Sequence, residues 1–538
     1  MELSPVEALI AGHLEAGTRL DCIPGIPAGE RVPEETMRAW GPAQVVSSDF
    51  LRRLMRGLVV AAPDPHGIHI RGLRICGRLD LEDLDTRIGI VLLDCLLEEG
   101  LTSRDARLPV LRLSGCRVDH PDASVIDATR MVTSGPVAVD NCVIGASART
   151  PAVEFSGASI GGQLKLTGST ITNGRGPVLG LDDATVTGDV ILQKEFRACG
   201  AGDEAMIRAR DAHIGARFDC SGIHVVSEGG PILDAASLRV DKDLFLRGMH
   251  VCARSRLAAI TLSGASVGGR LDCTGMHVTN SAGGALDGKH LTVATDMLLC
   301  DGVHLEGAGD EPVVRLDDTH VTGVFTCSGT TVVHAAGPRY SWSVDGLTYA
   351  GTPEGLTCPD WLALFRERTP HYAAQPYQQL AAAHRAKGQE SDVRRILMAQ
   401  REAQLAADGV DARARLWGGI THVTLGYGYQ PWRALICLLV TLVISVTANF
   451  WLGAHGALTR VPDDVAGQPC SVLERVGVGV DASVPLIKTG ARDRCDLTTD
   501  AGSTTGTVLT ISTWIVQLAA WGFAALFVAG FTGAVRKT

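Results

Sequence analysis

Four histidines, His224, His250, His277 and His304, recur at steps of 26 or 27 residues, each directly before Val225, Val251, Val278 or Leu305. Imidazole changes charge near neutral pH and is a common nitrogen ligand for transition metals. On stacked strands such a recurrence places the rings about 5 Å apart on one outer face, where they would oppose one another's protonation or share a metal ion. These four residues are the candidate metal ligands. A plainly polar column is the alternative, because Thr170 and Thr331 fill the same position in flanking coils.

There is no Gly-x-Gly-x-x-Gly after a strand, no Walker-type loop, no Gly-x-Ser-x-Gly and no His-Glu-x-x-His, so no catalytic residue is assigned and no cofactor is expected. Asp182 with Asp183, and Asp317 with Asp318, are carboxylate pairs of the kind glycosidases use. They recur at equivalent corners, which marks repeat sequence. Cys220, Cys273 and Cys327 share an inward position about 54 residues apart and read as small apolar fillers. No Cys-x-x-Cys pair exists, which leaves neither a thioredoxin-like couple nor a zinc knuckle.

What must position the histidines is a repeat of about 27 residues. Ile160, Val186, Ile214, Val240, Val267, Val293 and Val321 mark the period, with Ile171, Val225, Val251, Val278, Leu305 and Val332 about 11 residues after most of them. Within one unit, Ile260, Leu262, Ala265 and Val267, then Leu271, Cys273, Met276 and Val278, alternate with polar residues and shift frame at Gly264 and Gly275. Alternation is strand spacing, and glycine suits the corners. The fold expected is a parallel β-solenoid, each coil burying its apolar residues on the next. Ile75 to Leu81 resembles Val267 to Cys273, and Leu111 to Val118 resembles Ile260 to Val267, which extends the stack to Gly67. The spacing from Val118 to Ile160 is less regular, so a short or bulged coil is expected there.

The net charge of -10 lies in the repeat region, since residues 61–345 carry 36 acidic and 26 basic side chains. That balance argues against a nucleic-acid groove, and no nucleic-acid partner is expected. Residues 1–63 lack the repeat. Pro5 to Glu15, with Leu9, Ile10 and Leu14 on one face, and Ser47 to Gly57 read as short helices capping the open end. Met1 to Thr18 has neither a basic start nor an apolar run, so no signal peptide is expected and the N-terminus is placed in the cytoplasm.

After Tyr349 the pattern turns helical, with a hairpin of Pro376 to Arg385 and Asp392 to Leu405; the second helix carries Arg394, Arg395 and Arg401, placed to meet anionic lipid or solvent. Ala434 to Gly453 and Thr507 to Gly530 are uncharged runs of 20 and 24 residues, long enough to cross a bilayer core of about 30 Å. Trp432, Phe450, Trp451 and Trp514 lie towards their ends, and Asn449 and Gln517 are amides expected to bond helix to helix. Arg413, Arg415 and Arg433 precede the first run, and Arg536 and Lys537 follow the second, so both termini are expected in the cytoplasm of a plasma-membrane protein. The loop between the runs holds Cys470 and Cys495, and an external disulfide between them is expected. A short amphipathic piece is expected near Val472 to Ile487.

The coils Ser156 to Gly168 and Leu262 to Leu271, the hairpin start Pro376 to Leu380, the run Gly426 to Arg433 and the run Ala529 to Gly533 are similar to an actinobacterial family labelled membrane-associated oxidoreductase. The resemblance covers nearly the whole chain and implies oxidoreductase activity, although no nicotinamide, flavin, haem or iron–sulfur pattern is visible. The coils also resemble pentapeptide-repeat proteins, with a loop inserted in each turn.

The expected organisation is mainly β: a helical cap over 1–63, a parallel β-helix over 64–349, a helical hairpin and juxtamembrane segment over 350–432, transmembrane helices over 433–453 and 507–531, an external loop over 454–506 and a tail over 532–538. The expected role is a scaffold at the inner face of the membrane, meeting the lipid bilayer, protein partners and further copies of itself. Oxidoreduction and signalling from the external loop to the solenoid are the alternatives.

Overall fold

The computed structural model describes residues 3–27, 29–120, 123–335, 340–407, 411–456, 458–461, 468–484, 488–497 and 504–537, the last segment without the side chains of 504–507, 509, 530 and 533–537. Ile487 therefore lies outside the described residues, and the side chains of Arg536 and Lys537 lie outside the described ones. Two compact units divide the chain, one up to Val393 and one from Arg394.

The first unit is a parallel β-solenoid of about 11 coils with about 27 residues per turn. Four sheets of twelve, twelve, eleven and nine strands, counted among the described residues, form its faces. Sheet A runs from Leu20–Asp21 to Phe325–Ser328, sheet B from Val45–Ser47 to Thr331–His334, sheet C from Leu79–Asp80 to Trp342–Ser343, and sheet D from Arg107–Leu108 to His320–Val321. One coil visits Ile260–Thr261 on C, Ser266–Val267 on D, Leu271–Asp272 on A and His277–Asn280 on B before Leu286–Asp287 returns to C. The inward residues Leu262, Val267, Leu271, Cys273, Met276 and Val278 are each at most 1% exposed. A coil by itself buries nothing on its two open edges; stacking covers them and pairs every strand in parallel register. Corners turn through the left-handed region, at Gly264 with φ 68° and Gly275 with φ 65°, and at Asp183 and Asp318 where a short polar side chain tolerates it.

Register corrects two expectations. No coil is short between Val118 and Ile160: Val118 pairs with Ile144 and Ile144 with Ile171, all on sheet B, whereas Ile160 lies on sheet D. The two early matches were also half a coil out of phase. Ile75 stands on B and Val267 on D, and Leu111 stands on A and Ile260 on C. The C-to-D and A-to-B corners use the same two-residue left-handed turn, at Gly264 and Gly275, so the strands that follow them look alike in sequence. Residues 1–63 also join the stack, through Leu20–Asp21 on A and Val45–Ser47 on B, because backbone pairing needs no repeat side chains.

Between sheets B and C each coil carries a loop, and in two coils a buried asparagine pins it. Asn280 accepts from the Ser255 and Ala282 amides and donates to the Leu257 and Gly284 carbonyls. Asn173 repeats the arrangement with Ala148, Arg175, Thr150 and Pro177. Both are 0% exposed.

Helices close the two ends of this unit. α1 (Pro5–Ala16) starts with a capping box at Ser4 and buries Val6, Ile10 and Leu14, with Leu9 left outside. α2 (Glu34–Arg38) buries Met37, and α3 (Ser48–Met55) buries Phe50, Leu51, Leu54 and Met55. Arg52 of α3 donates to the Asp80 carbonyl, an edge group of sheet C. At the other end α4 (Cys358–Ala363), a π-turn over Leu364–Arg368 and α5 (Gln375–Ala386) follow the last strand. Phe325 of the last coil stacks near Tyr349 and Trp361, and Trp361 leads to Phe365 and Tyr377 at centroid separations of 5.7 and then 5.1 Å. Gln375 and Gln379 donate to the Leu347 and Tyr349 carbonyls, so side chains satisfy an edge that no further strand pairs.

α6 (Glu390–Ala406) leads into the second unit, which contains α7 (Ala412–Leu425), α8 (Trp432–Ala454), α9 (Val472–Ser483) and α10 (Thr504–Lys537). α8 and the Thr510–Ala529 part of α10 are long and apolar, with mean hydropathy 2.3 and 1.7, and only 11% and 6% of their windows are buried. α9 packs on α8 so closely that a Cβ on Gly479 would sit 2.6 Å from the Val446 Cα, and Ser445 donates to the Gly479 carbonyl at 2.9 Å. The interhelical bond therefore comes from Ser445; Asn449, expected to provide one, donates back to the Ser445 carbonyl of its own helix. Leu458–Arg460 pairs antiparallel with Cys495–Leu497, and a disulfide joins Cys470 to Cys495.

Candidate functional site

Sheet B places the four histidines at the first residue of successive strands, His224–Ser227, His250–Ala253, His277–Asn280 and His304–Gly307. The inward neighbour on each strand, Val225, Val251, Val278 or Leu305, locks the register by burial, and the pleat turns the imidazole outward. Ring centroids follow at 5.2, 4.7 and 6.2 Å, with interplanar angles of 15, 18 and 30°. Arg197, not Thr170, occupies the rung before His224; Thr170 lies one rung further back, and Thr331 follows His304.

The first two pairs are stacked and the third is tilted. Among the described residues no group of three or more His, Cys, Asp or Glu side chains is arranged to hold a metal. His277 donates from Nδ1 to the Gly275 carbonyl at 2.9 Å, because a carbonyl only accepts. Partial burial, then the His277 and His224 charges, hold His250 below the ordinary imidazole range.

The next outward column of the same sheet holds Cys199, Val226, Cys252 and Thr279. Cys199 and Cys252 are exposed free thiols, and Val226 is 44% exposed. They sit two rungs apart, about 10 Å, beyond the reach of a disulfide. From Thr170 to Thr279 the outward positions of sheet B carry one formal charge, Arg197. Sheet C differs, with Asp127, Glu154, Arg208, Asp234, Asp287 and Arg315 on its outward column. A flat strip of low charge thus crosses an acidic solenoid, a feature visible only once the rungs are in register.

Interior thiols form two columns. Cys220, Cys273 and Cys327 point inward with Leu246 and Leu299 on the rungs between them, and burial pushes all three thiols up, Cys327 to about 11. Cys95, Cys116 and Cys142 make a second column on consecutive rungs, at most 1% exposed. Burial raises Cys95 and Cys116 well above the ordinary thiol range. Thiols held protonated inside an apolar wall are poor nucleophiles. Sequence spacing missed this column because its rungs continue as Ser169, Phe196, Ile223 and Met249.

No protein-family model, curated protein or solved structure matches the chain. The class defined by the geometry is a parallel β-solenoid followed by a helical region with two long apolar helices.

Proposed function

We propose that this protein is a membrane-anchored scaffold: α8 and α10 cross the bilayer, and the solenoid offers the outer face of sheet B to a protein partner. The observation that carries the reading is the low-charge strip from Thr170 to Thr279, with its ladder of imidazoles and exposed Val226. A surface with few charges costs little to desolvate, and flat, regular faces are what solenoids use for binding. The anchor is supported by two apolar helices that are each long enough to span and mostly unburied. Arg413 and Arg415 before α8, with Arg433 in its first turn, favour a cytoplasmic solenoid, and the disulfide-closed segment between α8 and α10 favours an oxidising side for that segment.

Site-specific photocrosslinking in cells tests the docking face. A photoreactive residue at Val226 or Thr279 should give a discrete heteromeric adduct, whereas one at Ser266 or Thr292 on sheet D should give none. Equal labelling of both faces, or labelling of neither, rejects the docking surface. Retention of the full chain in carbonate-washed membranes tests the anchor separately.

A further inference from the structure

α7 presents an apolar stripe that its own packing does not use. Leu416, Ile420 and Val423, at i, i+4 and i+7, are 70, 43 and 65% exposed, and Trp417 beside them is 61% exposed. The packing side is different: Gly418, Thr424 and Leu425 are buried, and a Cβ on Gly418 would meet the Leu405 side chain at 2.3 Å. Arg413 and Arg415 flank the stripe, exposed, and neither guanidinium has a hydrogen-bond or ion-pair partner among the described residues. With 14 residues, α7 is about 21 Å long, too short to cross a bilayer. Gly426 and Tyr427, both in the left-handed region at φ 52° and 57°, then redirect the chain into α8 at Trp432. Arg433 donates to the His422 carbonyl at 3.1 Å and ties the start of α8 to the end of α7.

Beside Trp417 lies a cleft of about 410 Å³, lined by Arg401, Gln400, Gln404, Tyr427 and Leu397. Arg401 gives one N–H to the Gln404 side chain at 2.7 Å and has no carboxylate partner among the described residues. A guanidinium with spare donors next to aromatic rings suits a phosphate ester attached to an apolar body.

We infer that α7 and this cleft form an anionic-phospholipid site at headgroup depth. The stripe of α7 beds in the acyl boundary, Arg413 and Arg415 meet the phosphate layer, and Arg401 takes one headgroup phosphate in the cleft. The inference rests on the reading of α8 as a membrane span, and its occupant is the leaflet that α8 enters at Trp432.

The test uses the full chain in nanodiscs of phosphatidylcholine and phosphatidylglycerol, with bromine on shallow or deep acyl carbons. The emission difference between wild type and Trp417→Phe isolates Trp417, and shallow bromines should quench it most. A water-like difference signal, with the remaining tryptophans still quenched by deep bromines, keeps the spans and overturns the site. If no tryptophan responds to any brominated lipid, the spanning reading has failed instead. Native mass spectrometry of detergent-purified protein should show bound phosphatidylglycerol, reduced about tenfold by Arg401→Gln through loss of one charge-assisted pair. Retention unchanged by that variant, or displacement by excess inorganic phosphate, overturns the lipid assignment of the cleft.

Discussion

His250 and His277 stand face to face, with ring centroids 4.7 Å apart and planes inclined by 18°, on rungs whose backbones pair directly. The contact is a consequence of register, and it makes each ring part of its neighbour's electrostatic environment. Arg197 ends the ladder on one side, and Glu306 lies in the neighbouring outward column on the strand of His304.

One consequence is a pH dependence. Burial first, then His277 and His224, make His250 harder to protonate in the folded chain than in the unfolded one. The unfolded chain then binds more protons, so this contribution to stability is present above the free imidazole value of about 6.5 and is lost as pH falls towards the lowered folded value. The melting temperature should fall between about pH 7 and pH 5, and His250→Thr should remove part of that fall. Parallel melting curves of the two proteins decide it; identical slopes would count against coupling along the ladder.

Asn280 should be far less replaceable than its polar chemistry suggests. Its amide serves two backbone donors and two carbonyls at 0% exposure. Asn280→Ala strands several buried groups and should cost about 2–4 kcal/mol. Asn280→Asp should be at least as harmful at neutral pH, since a carboxylate cannot donate to the Leu257 and Gly284 carbonyls. Urea unfolding with hydrogen exchange on the loop reads both.

The C-terminal end of the solenoid should depend on Phe325. Its ring is 0% exposed and lies 6.2 Å from Tyr349 and 6.0 Å from Trp361. Phe325→Ala should cost about 3–5 kcal/mol locally. Because coils couple to their neighbours, limited proteolysis should then start between the last strands and α5 and leave the early coils intact.

Closing the 25-residue stretch between Cys470 and Cys495 should stabilise that segment by about 3 kcal/mol through the restricted unfolded chain. Native protein should resist maleimide at these two positions until reduced. The double Cys→Ser variant should speed hydrogen exchange in α9, with the solenoid amides unaffected.

Much of this protein was legible in its residues because a period-two pattern repeated about every 27 residues leaves few alternatives to a stack, and uncharged runs of 20 and 24 residues leave few alternatives to long exposed helices. The outward direction of His224 to His304 and the inward direction of Cys220 to Cys327 follow from the same pleat. Phase was harder. Gly115 and Gly264 turn opposite corners with similar sequence, so local matching put Val118 and Ile160 on one ladder when backbone pairing puts them on different sheets. α7 also escaped notice, since Gly418 and Gly419 weaken its helical pattern and only close packing of Gly418 on Leu405 gives that glycine a reason. Sequence alone thus determined the class of fold, the histidine spacing and the two apolar helices, because those depend on periodicity and length. Tertiary structure decided which rungs are neighbours, that Arg197 ends the histidine ladder, that Cys95, Cys116 and Cys142 share a wall, and which face of α7 stays open. Those depend on pairing between residues one coil or more apart, which no local pattern encodes.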